Sequence, residues 1–301
     1  MQKIIIPFLL LFSLLFSIVA PAAPESVPDR ERGEGPFQRL ILRGVTVISG
    51  AGAPPVGPMD VVIEGNRIKS MHNVGYPGVP IEDDDRQESA EGDRVLDLGG
   101  HSLMPGFIDL HAHFGGDAQG VPAEFPAKLW IAHGITTIRE PGSFNGLEWV
   151  KAHQARSANN EIAAPRIVPY LGFGMGNDGP ILTADDARAW VKRVAKQGAA
   201  GVKFFGATPE VMAAALDETR KQGIGSMMHH AQLNVVDWNV LDSARAGLGT
   251  MEHWYGLPEA LFEDKVIQDY PAEYNYSDEQ HRFGEAGRLW AQAARPGSEQ
   301  W

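Results

Sequence analysis

The 301-residue sequence contains no cysteine. This absence excludes a disulfide framework, a thiolate nucleophile and a cysteine-bound zinc ion, so any metal must be held by nitrogen and oxygen atoms. Positive charge is also scarce, with 26 Lys and Arg against 38 Asp and Glu and a formal net charge of -12. Because nucleic-acid binding usually needs a basic face, we expect no nucleic-acid partner.

The N-terminus carries one long apolar run. Residues 1–22 combine Lys3, an apolar stretch from Ile4 to Val19 and a small-residue Ala20-Pro-Ala22 pattern, which is typical of a secretory signal peptide. An uncleaved membrane anchor is the alternative, because the stretch approaches the roughly 17 to 25 residues that span a bilayer. We expect cleavage, a secreted or periplasmic protein without membrane association, and a flexible mature N-terminus over residues 23–38.

Residues 39–103 follow a pattern that predicts a small β-sandwich domain. Strand-like composition recurs in three stretches, residues 40–48, 60–68 and 94–98. Glu64-Gly-Asn-Arg67 supplies the glycine and asparagine that favour a hairpin turn. The acidic run over residues 82–85 could bind a cation, but such runs are more often solvated loops.

From Gly106 onwards, strand and helix patterns alternate, which predicts a parallel sheet with crossover helices. The strand candidates are residues 107–111, 135–140, 166–173, 201–205, 223–230 and 250–254. The helix candidates are residues 125–133, 146–158, 183–198, 209–223 and 277–294. In a parallel barrel all strands end at one face, so residues at those ends can converge on one site. We predict an α/β TIM-barrel domain over residues 104–301, with about six of the eight strand–helix units of that fold.

Ligand-type side chains stand at the ends of several of these strands. His111 and His113 follow the apolar run from Met104 and are two residues apart, so on one strand they project to the same side, where two imidazoles can hold one metal ion. Taken alone, such a pair also occurs by chance in surface loops. Lys203, His230 and His253 end later apolar runs, which makes a metal site the stronger interpretation.

The order and spacing of these residues resemble the amidohydrolase superfamily, in its imidazolonepropionase-like and Xaa-Pro dipeptidase-like branch. The resemblance covers nearly the whole chain after the apolar N-terminus. It is carried by Leu103-Met-Pro-Gly-Phe-Ile-Asp-Leu-His-Ala-His113, Gly134-Ile-Thr-Thr-Ile-Arg139, Val202-Lys-Phe204, His230-Ala231 and Met251-Glu-His253.

The resemblance implies a binuclear centre with two divalent ions, expected to be zinc. By it, His111 and His113 hold the first ion, a carboxylated Lys203 bridges the two, and His230 and His253 hold the second. The implied activity is hydrolysis of amide or peptide C–N bonds in a small-molecule or peptide-like substrate. A mononuclear deaminase or cyclic-amide hydrolase is the alternative, since a single-metal site would not need Lys203.

The adjacent His229 is the nearest competitor for a ligand position. Strand alternation sends His229 and His230 to opposite faces, so only one of them can face the site. The resemblance places the ligand immediately before alanine, which selects His230 and predicts that His229 faces the helical layer.

One element of the resembled pattern cannot be assigned. The family carries a general-base aspartate at the end of barrel strand eight, and no seventh or eighth unit precedes Trp301. We therefore expect the sequence to be a C-terminally truncated form of a longer enzyme, with two open sheet edges that make oligomers possible. A catalytically inactive protein that binds metal and small ligands is the non-enzymatic alternative.

Overall fold

A computed structural model describes residues 35–263 and 270–301. The predicted signal peptide and most of the predicted flexible N-terminus lie outside these residues. Within the two described ranges, no helix is both long and apolar enough to cross a bilayer.

The N-terminal part of the chain forms one five-stranded sheet in the order β3-β2-β1-β4, with β5 also beside β1. Its strands are β1 (Arg39–Val47), β2 (Val56–Glu64), β3 (Arg67–Asn73), β4 (Arg94–Asp97) and β5 (Ser102–Leu103). The predicted hairpin turn joins β2 to β3, and the short apolar core contains Leu42, Val45 and Val61. The described strands of this region make a single sheet, so the predicted sandwich is not confirmed.

The second sheet is parallel and has the strand order β11-β10-β9-β8-β7-β6. Its strands are β6 (Phe107–Asp109), β7 (Ile135–Gly142), β8 (Arg166–Gly172), β9 (Gly201–Phe204), β10 (Gly225–His229) and β11 (Thr250–Glu252). All six predicted strands are present. The sheet is a curled half-barrel whose edges are β6 and β11, so the expected count of eight units is not confirmed.

Seven helices accompany these strands within the described residues. Five lie in predicted places, and the two short helices over residues 240–245 and 257–260 were not predicted. The seven helices are α1 (Glu124–Ala132), α2 (Leu147–Ala158), α3 (Ala184–Lys196), α4 (Pro209–Lys221), α5 (Val240–Arg245), α6 (Leu257–Ala260) and α7 (Glu279–Leu289). At the start of α3, Thr183 and Asp186 exchange side-chain and backbone hydrogen bonds in a capping box. Gly198, with φ 94°, follows the end of α3 in a backbone conformation that favours glycine.

The main core lies between the parallel sheet and helices α3 and α4. Trp190, Met212 and Leu216 from the helices pack with Phe204 of β9 and Met228 of β10. Alternating residues on those strands must therefore point away from the helices, towards the concave side of the half-barrel.

Tyr170 of β8 fills the concave side below the strand ends. A Cβ built on Gly201 would lie 2.3 Å from Tyr170 Cζ, and one on Gly225 would lie 1.8 Å from its hydroxyl oxygen. Glycine therefore begins β9 and β10 because the tyrosine ring occupies the space of a side chain. The guanidinium of Arg139 lies 5.2 Å from the centre of the same ring. Tyr170 and Arg139 therefore fill the concave side of the half-barrel below the residues at the strand ends.

Candidate metal centre

A cavity of about 370 Å³ opens at the carboxyl ends of the parallel strands. Nine side chains line it: His111, His113, Lys203, Phe205, His229, His253, Tyr276, Glu279 and Arg282. Four of the five residues predicted from the sequence are in this set, and His230 is not. The strand ends of β6, β9, β10 and β11 thus bring their polar side chains to one place, as a parallel barrel does.

His111 is held between a carboxylate and a lysine. Its Nδ1 lies 2.6 Å from Glu252 Oε2, and its Nε2 lies 3.2 Å from Lys203 Nζ. Since a carboxylate can only accept, Nδ1–H donates to Glu252 and Nε2 is left with its lone pair facing Lys203. An imidazole fixed in this way is prepared to bind a cation through Nε2.

Glu252 is itself held in place by two further donors. Arg139 Nη2 donates to Glu252 Oε1 over 2.8 Å, and the Thr250 hydroxyl donates to the same oxygen over 3.0 Å. Burial would raise the pKa of Glu252, but the hydrogen bonds from His111 and Thr250 and the charge of Arg139 hold it below the usual value. The carboxylate is therefore ionised at neutral pH and keeps the His111 ring in one orientation. Sequence reasoning did not select Glu252, although it directly precedes His253.

Lys203 is buried on the concave side of β9. Its exposure is 3 %, and burial lowers its pKa to about 8 against the opposing charges of Glu252 and Glu140. A fraction of the amine is therefore neutral near physiological pH, the form that can react with carbon dioxide.

The remaining histidines surround the same space. The His113 ring lies 5.4 Å from that of His111, and its Nδ1 is 3.5 Å from Glu140 Oε1. The His253 ring lies 4.6 Å from His111 and 5.0 Å from His229. His253 has a left-handed φ of 62°, because the chain turns immediately after β11, and this turn lets its side chain reach the cavity beside that of Glu252.

Burial keeps two of these rings neutral. Burial, with electrostatic repulsion from His253 and Lys203, lowers the pKa of His229 to about 3. Burial, with His111 and Lys203, lowers the pKa of His253 to about 4. Neutral imidazoles are the form in which histidine binds metal ions.

The predicted orientation of His229 and His230 is reversed in the structure. Met227 of β10 pairs with Lys203, so His229, two residues further on, shares the concave side with that lysine. His230 follows the end of β10, is fully buried, and places its Nε2 2.8 Å from the Ser243 hydroxyl on α5. The prediction that His229 faces the helical layer was wrong, because it took the register from the His-Ala pairing of the resemblance. Both sides of a parallel strand are buried, so hydrophobicity could not correct that choice.

Helix α7 and the loop before it add three cavity residues that sequence reasoning missed. Tyr276, Glu279 and Arg282 lie over the strand ends, and Phe283 packs 5.9 Å from the His253 ring and 5.3 Å from that of Trp254. The helix itself was predicted. Its position over the site was not, because that position depends on the contacts of Phe283 with His253 and Trp254, which no pattern along the sequence indicates.

The donor set agrees with a metal site in its chemistry. His111, His113, His229 and His253 offer imidazole nitrogens and Lys203 offers an amine, all facing one cavity. Among the described residues, no group of three or more His, Asp or Glu side chains is arranged as closely as a bound ion requires. Binding of a metal ion by this set would therefore require side chains to move.

Comparisons with known proteins agree with the fold. An adenine deaminase from Bacillus subtilis (strain 168) is 30% identical over 158 residues, which is 48% of this chain and 27% of that protein. The chain thus spans only about a quarter of that relative's length. No protein-family model matches the chain.

Two solved structures show the same architecture. A Xaa-Pro dipeptidase with methionine bound in its active site has 22% identity and a TM-score of 0.51, over 71% of this chain and 61% of the other. Bottromycin amidohydrolase has 15% identity and a TM-score of 0.57, over 85% and 49% of the two chains. The chain thus shares the fold of these amidohydrolase structures, and the relatives support the resemblance drawn from its sequence. In this fold, the cavity at the strand ends is the candidate active site.

Proposed function

We propose that the protein is a metal-dependent hydrolase of amide and peptide C–N bonds. The observation that carries the proposal is the convergence of four histidines and one buried lysine on a single cavity at the carboxyl ends of parallel strands. The deaminase, dipeptidase and amidohydrolase named above all act, by their names, on C–N bonds, which supports the same reaction class.

The residues that would hold divalent ions are those facing the cavity. We assign His111 and His113 to one ion, His229 and His253 to a second, and a carboxylated Lys203 to the bridge between them. Zinc is the expected metal because it is commonly bound by imidazole. When bound, two such ions lower the pKa of a water molecule and polarise a substrate carbonyl.

The protein's own groups orient this chemistry. Glu252 fixes the ring of His111, and Arg139 fixes Glu252, so one end of the site is rigid before substrate arrives. Phe205 lies 5.3 Å from Lys203 Nζ and helps to shield that amine from water. Burial lowers the pKa of Lys203 to about 8, so a fraction of the amine is neutral and able to form the carbamate.

Removal and return of metal tests the proposal. The full chain should hydrolyse members of a panel of N-acetyl amino acids and dipeptides, lose this activity after treatment with a chelator, and regain it with zinc. Amino acid release measures the reaction, and elemental analysis measures the metal. Hydrolysis that persists in metal-free protein would contradict the proposal.

Deamination of an aminopurine is a second candidate, favoured by the name of the adenine deaminase relative. A mononuclear deaminase would release ammonia from adenine and would not depend on Lys203. Ammonia release from adenine by both the native protein and a Lys203→Ala variant would select this reaction instead.

The proposed place of action is outside the cytoplasm, on the strength of the signal-peptide pattern in residues 1–22. The proposed partner is therefore a small extracytoplasmic amide or peptide. Fractionation of cells that express the full sequence, with mass determination of the mature N-terminus, tests both cleavage and export.

A further inference from the structure

The Glu140 carboxylate lies buried near the end of β7, beside the candidate metal centre. It is 3 % exposed, its Oε2 accepts a hydrogen bond from the Phe114 backbone N–H, and its Oε1 accepts one from the Ser143 backbone N–H over 3.3 Å. A carboxylate can accept about four hydrogen bonds, so these two leave acceptor capacity on both oxygens. Oε1 faces His113 Nδ1 at a distance of 3.5 Å. Glu140 is therefore able to accept a further bond from this ring.

The nitrogen of His113 that faces Glu140 is unsatisfied. His113 Nδ1 is buried and has no hydrogen-bond partner among the described residues. Its distance of 3.5 Å from Glu140 Oε1 exceeds the roughly 2.7 to 3.2 Å of an N–H···O hydrogen bond. A buried polar atom without a partner is uncommon, because its lost hydration is not replaced. The His113 side chain lines the cavity and is 31% exposed, so its other nitrogen, Nε2, is the one left for a cation.

The turn after β7 holds the same ring from a second direction. Ser143 has a left-handed φ of 50°, which is uncommon for a residue other than glycine and persists only where the surroundings hold it. Glu140 accepts from its N–H, and its hydroxyl donates to the Tyr170 carbonyl over 2.8 Å. The turn places the Phe144 ring 5.4 Å from that of His113. Glu140 thus contacts both the His113 ring and the turn that packs against it.

The pair formed by Glu252 and His111 has the same arrangement. There too a buried carboxylate from another strand faces Nδ1 of the histidine, at 2.6 Å, and leaves Nε2 for a cation. Both carboxylates also act on Lys203, because burial lowers the pKa of that lysine and the negative charges of Glu252 and Glu140 oppose the decrease. One carboxylate therefore lies against each histidine of the His-x-His pair.

We infer that Glu140 is the positioning residue of His113, and that its Oε1 accepts from Nδ1–H to keep the ring in the tautomer whose Nε2 can bind a cation. This inference rests on the proposed metal-dependent function. Glu140 touches neither metal nor substrate and acts through His113. Binding of a cation at Nε2 makes Nδ1–H a stronger donor, so the gap of 3.5 Å should shorten to the roughly 2.7 to 2.9 Å of a charge-assisted bond.

The tautomer of His113 in the native full chain gives the first test. Nitrogen-15 NMR of the histidine side chains, recorded on metal-free protein at a pH at which the ring is neutral, should show His113 protonated at Nδ1. Addition of zinc should shift the Nε2 resonance and move the Nδ1 proton downfield, as its bond to Glu140 shortens. Protonation of His113 at Nε2, or binding of zinc through Nδ1, would overturn the inference.

Glu140→Gln gives the second test. A side-chain amide has one oxygen and one N–H₂ group, so it cannot accept from both the Phe114 N–H and the His113 Nδ1–H. Zinc affinity, measured by competition with a chromophoric chelator, should fall by about 10- to 100-fold, and the His113 spectrum should show a mixture of tautomers. A purely structural Glu140 would lower only the melting temperature. Native zinc affinity and a native His113 tautomer in the folded variant would therefore overturn the inference.

Glu218→Gln is the matched control, because Glu218 of α4 is equally buried, accepts from the Gln222 side chain and does not line the cavity. It should keep the native zinc affinity. If Glu140→Gln does not fold, Glu140→Asp supplies the test, since it keeps the charge but its shorter side chain cannot reach His113 and the Phe114 N–H together. Zinc affinity should fall in this variant too, and native affinity would contradict the positioning role.

Failure of the proposed function has a different signature, namely no zinc binding by the native chain or hydrolysis that persists without metal. The tautomer of His113 in metal-free protein then decides the role of Glu140 on its own. Protonation at Nδ1 that is lost in Glu140→Gln supports the positioning role, and the same tautomer in both proteins rejects it.

Discussion

The two sides of strand β10 place adjacent histidines in different surroundings. His229 and His230 are both buried, and burial lowers the pKa of both, to about 3 and about 4. His229 lies on the concave side, in a cavity it shares with Lys203 and His253. His230 lies towards α5, where Ser243 bonds its Nε2. Burial and a shifted pKa therefore do not identify a functional histidine, whereas a shared cavity with other ligand-type groups does.

The neighbouring strand β9 also has a helical side and a cavity side with different surroundings. Phe204 points into the helical core, where its neighbours are apolar, and Lys203 points into the cavity. On the helical side, His230 Nε2 and the Trp238 indole nitrogen both bond the Ser243 hydroxyl, while His230 Nδ1 is buried without a hydrogen-bond partner. The concave side holds nitrogen groups directed at open space, an arrangement that is costly unless a ligand completes it.

Replacing Lys203 should produce the largest effect on the concave side. Lys203→Ala removes the proposed bridge, so the zinc-loaded protein should lose at least one of two ions per chain, and kcat/KM should fall by about a thousandfold or more. Elemental analysis and amide hydrolysis measure the two effects. Lys192→Ala, an exposed lysine on α3, is the control. Unchanged metal content in Lys203→Ala would reject the bridging role.

His229→Asn should give the next largest effect. Loss of one proposed ligand should lower kcat/KM by about a hundredfold or more and weaken binding of the second ion, with little change in the melting temperature. Metal titration and hydrolysis assays check this result. Full metal binding in His229→Asn, together with its loss in His230→Asn, would show that His230 is the ligand, as the sequence predicted.

The sequence predicted the six parallel strands and five of the seven described helices because each of these carries a strong local signal. The strands are short apolar runs, Thr183 caps the start of α3, and Gly198 follows its end. Four cavity residues were found because His111, His113, Lys203 and His253 each end an apolar run, which is visible without any tertiary contact.

The rest of the site could not be predicted, because it depends on strand pairing and on contacts between residues far apart in the sequence. The choice between His229 and His230 needs the pairing of β9 with β10, which no pattern within either strand contains. Arg282 and Glu279 reach the cavity only because Phe283 packs against Trp254 and Tyr255. Glu252 resembles any strand-end acid until Arg139 and His111 are placed beside it.

Glu252→Gln should have a smaller effect, because it disturbs a ligand without removing it. The variant can still contact His111 but no longer fixes its tautomer with a charge, so metal affinity should fall by about 10- to 100-fold. Competition with a chromophoric zinc chelator measures this loss. Glu148→Gln, an exposed acid on α2, is the matched control. Native affinity in Glu252→Gln would mean that the carboxylate does not position His111.

His230→Asn should affect stability and leave the site intact. The change leaves the buried Ser243 and Trp238 groups imperfectly bonded, so the free energy of unfolding should fall by about 1 to 3 kcal/mol. Denaturant unfolding measures this decrease, and activity per folded molecule should remain within about twofold, as for other substitutions that act only on stability. A loss of activity without a loss of stability would place His230 in the site after all.

Glu259→Gln should give the smallest effect, and it should increase the stability of the protein, whereas His230→Asn should decrease it. Burial raises the pKa of Glu259, whose Oε2 has no hydrogen-bond partner, while its Oε1 accepts from the Tyr270 hydroxyl over 2.8 Å. An acid whose folded pKa is raised contributes stability below its unfolded value near 4.5, and this is lost as the pH rises through the folded value. Glutamine keeps an acceptor for Tyr270 without the charge, so the variant should be more stable at neutral pH by on the order of 1 kcal/mol. The gain should disappear in melts at decreasing pH, and Glu285→Gln, an acid of α7 that pairs with Arg288, should show no such gain. A lower free energy of unfolding in Glu259→Gln at neutral pH would contradict this prediction. It would show that the buried Glu259 carboxylate stabilises the folded protein.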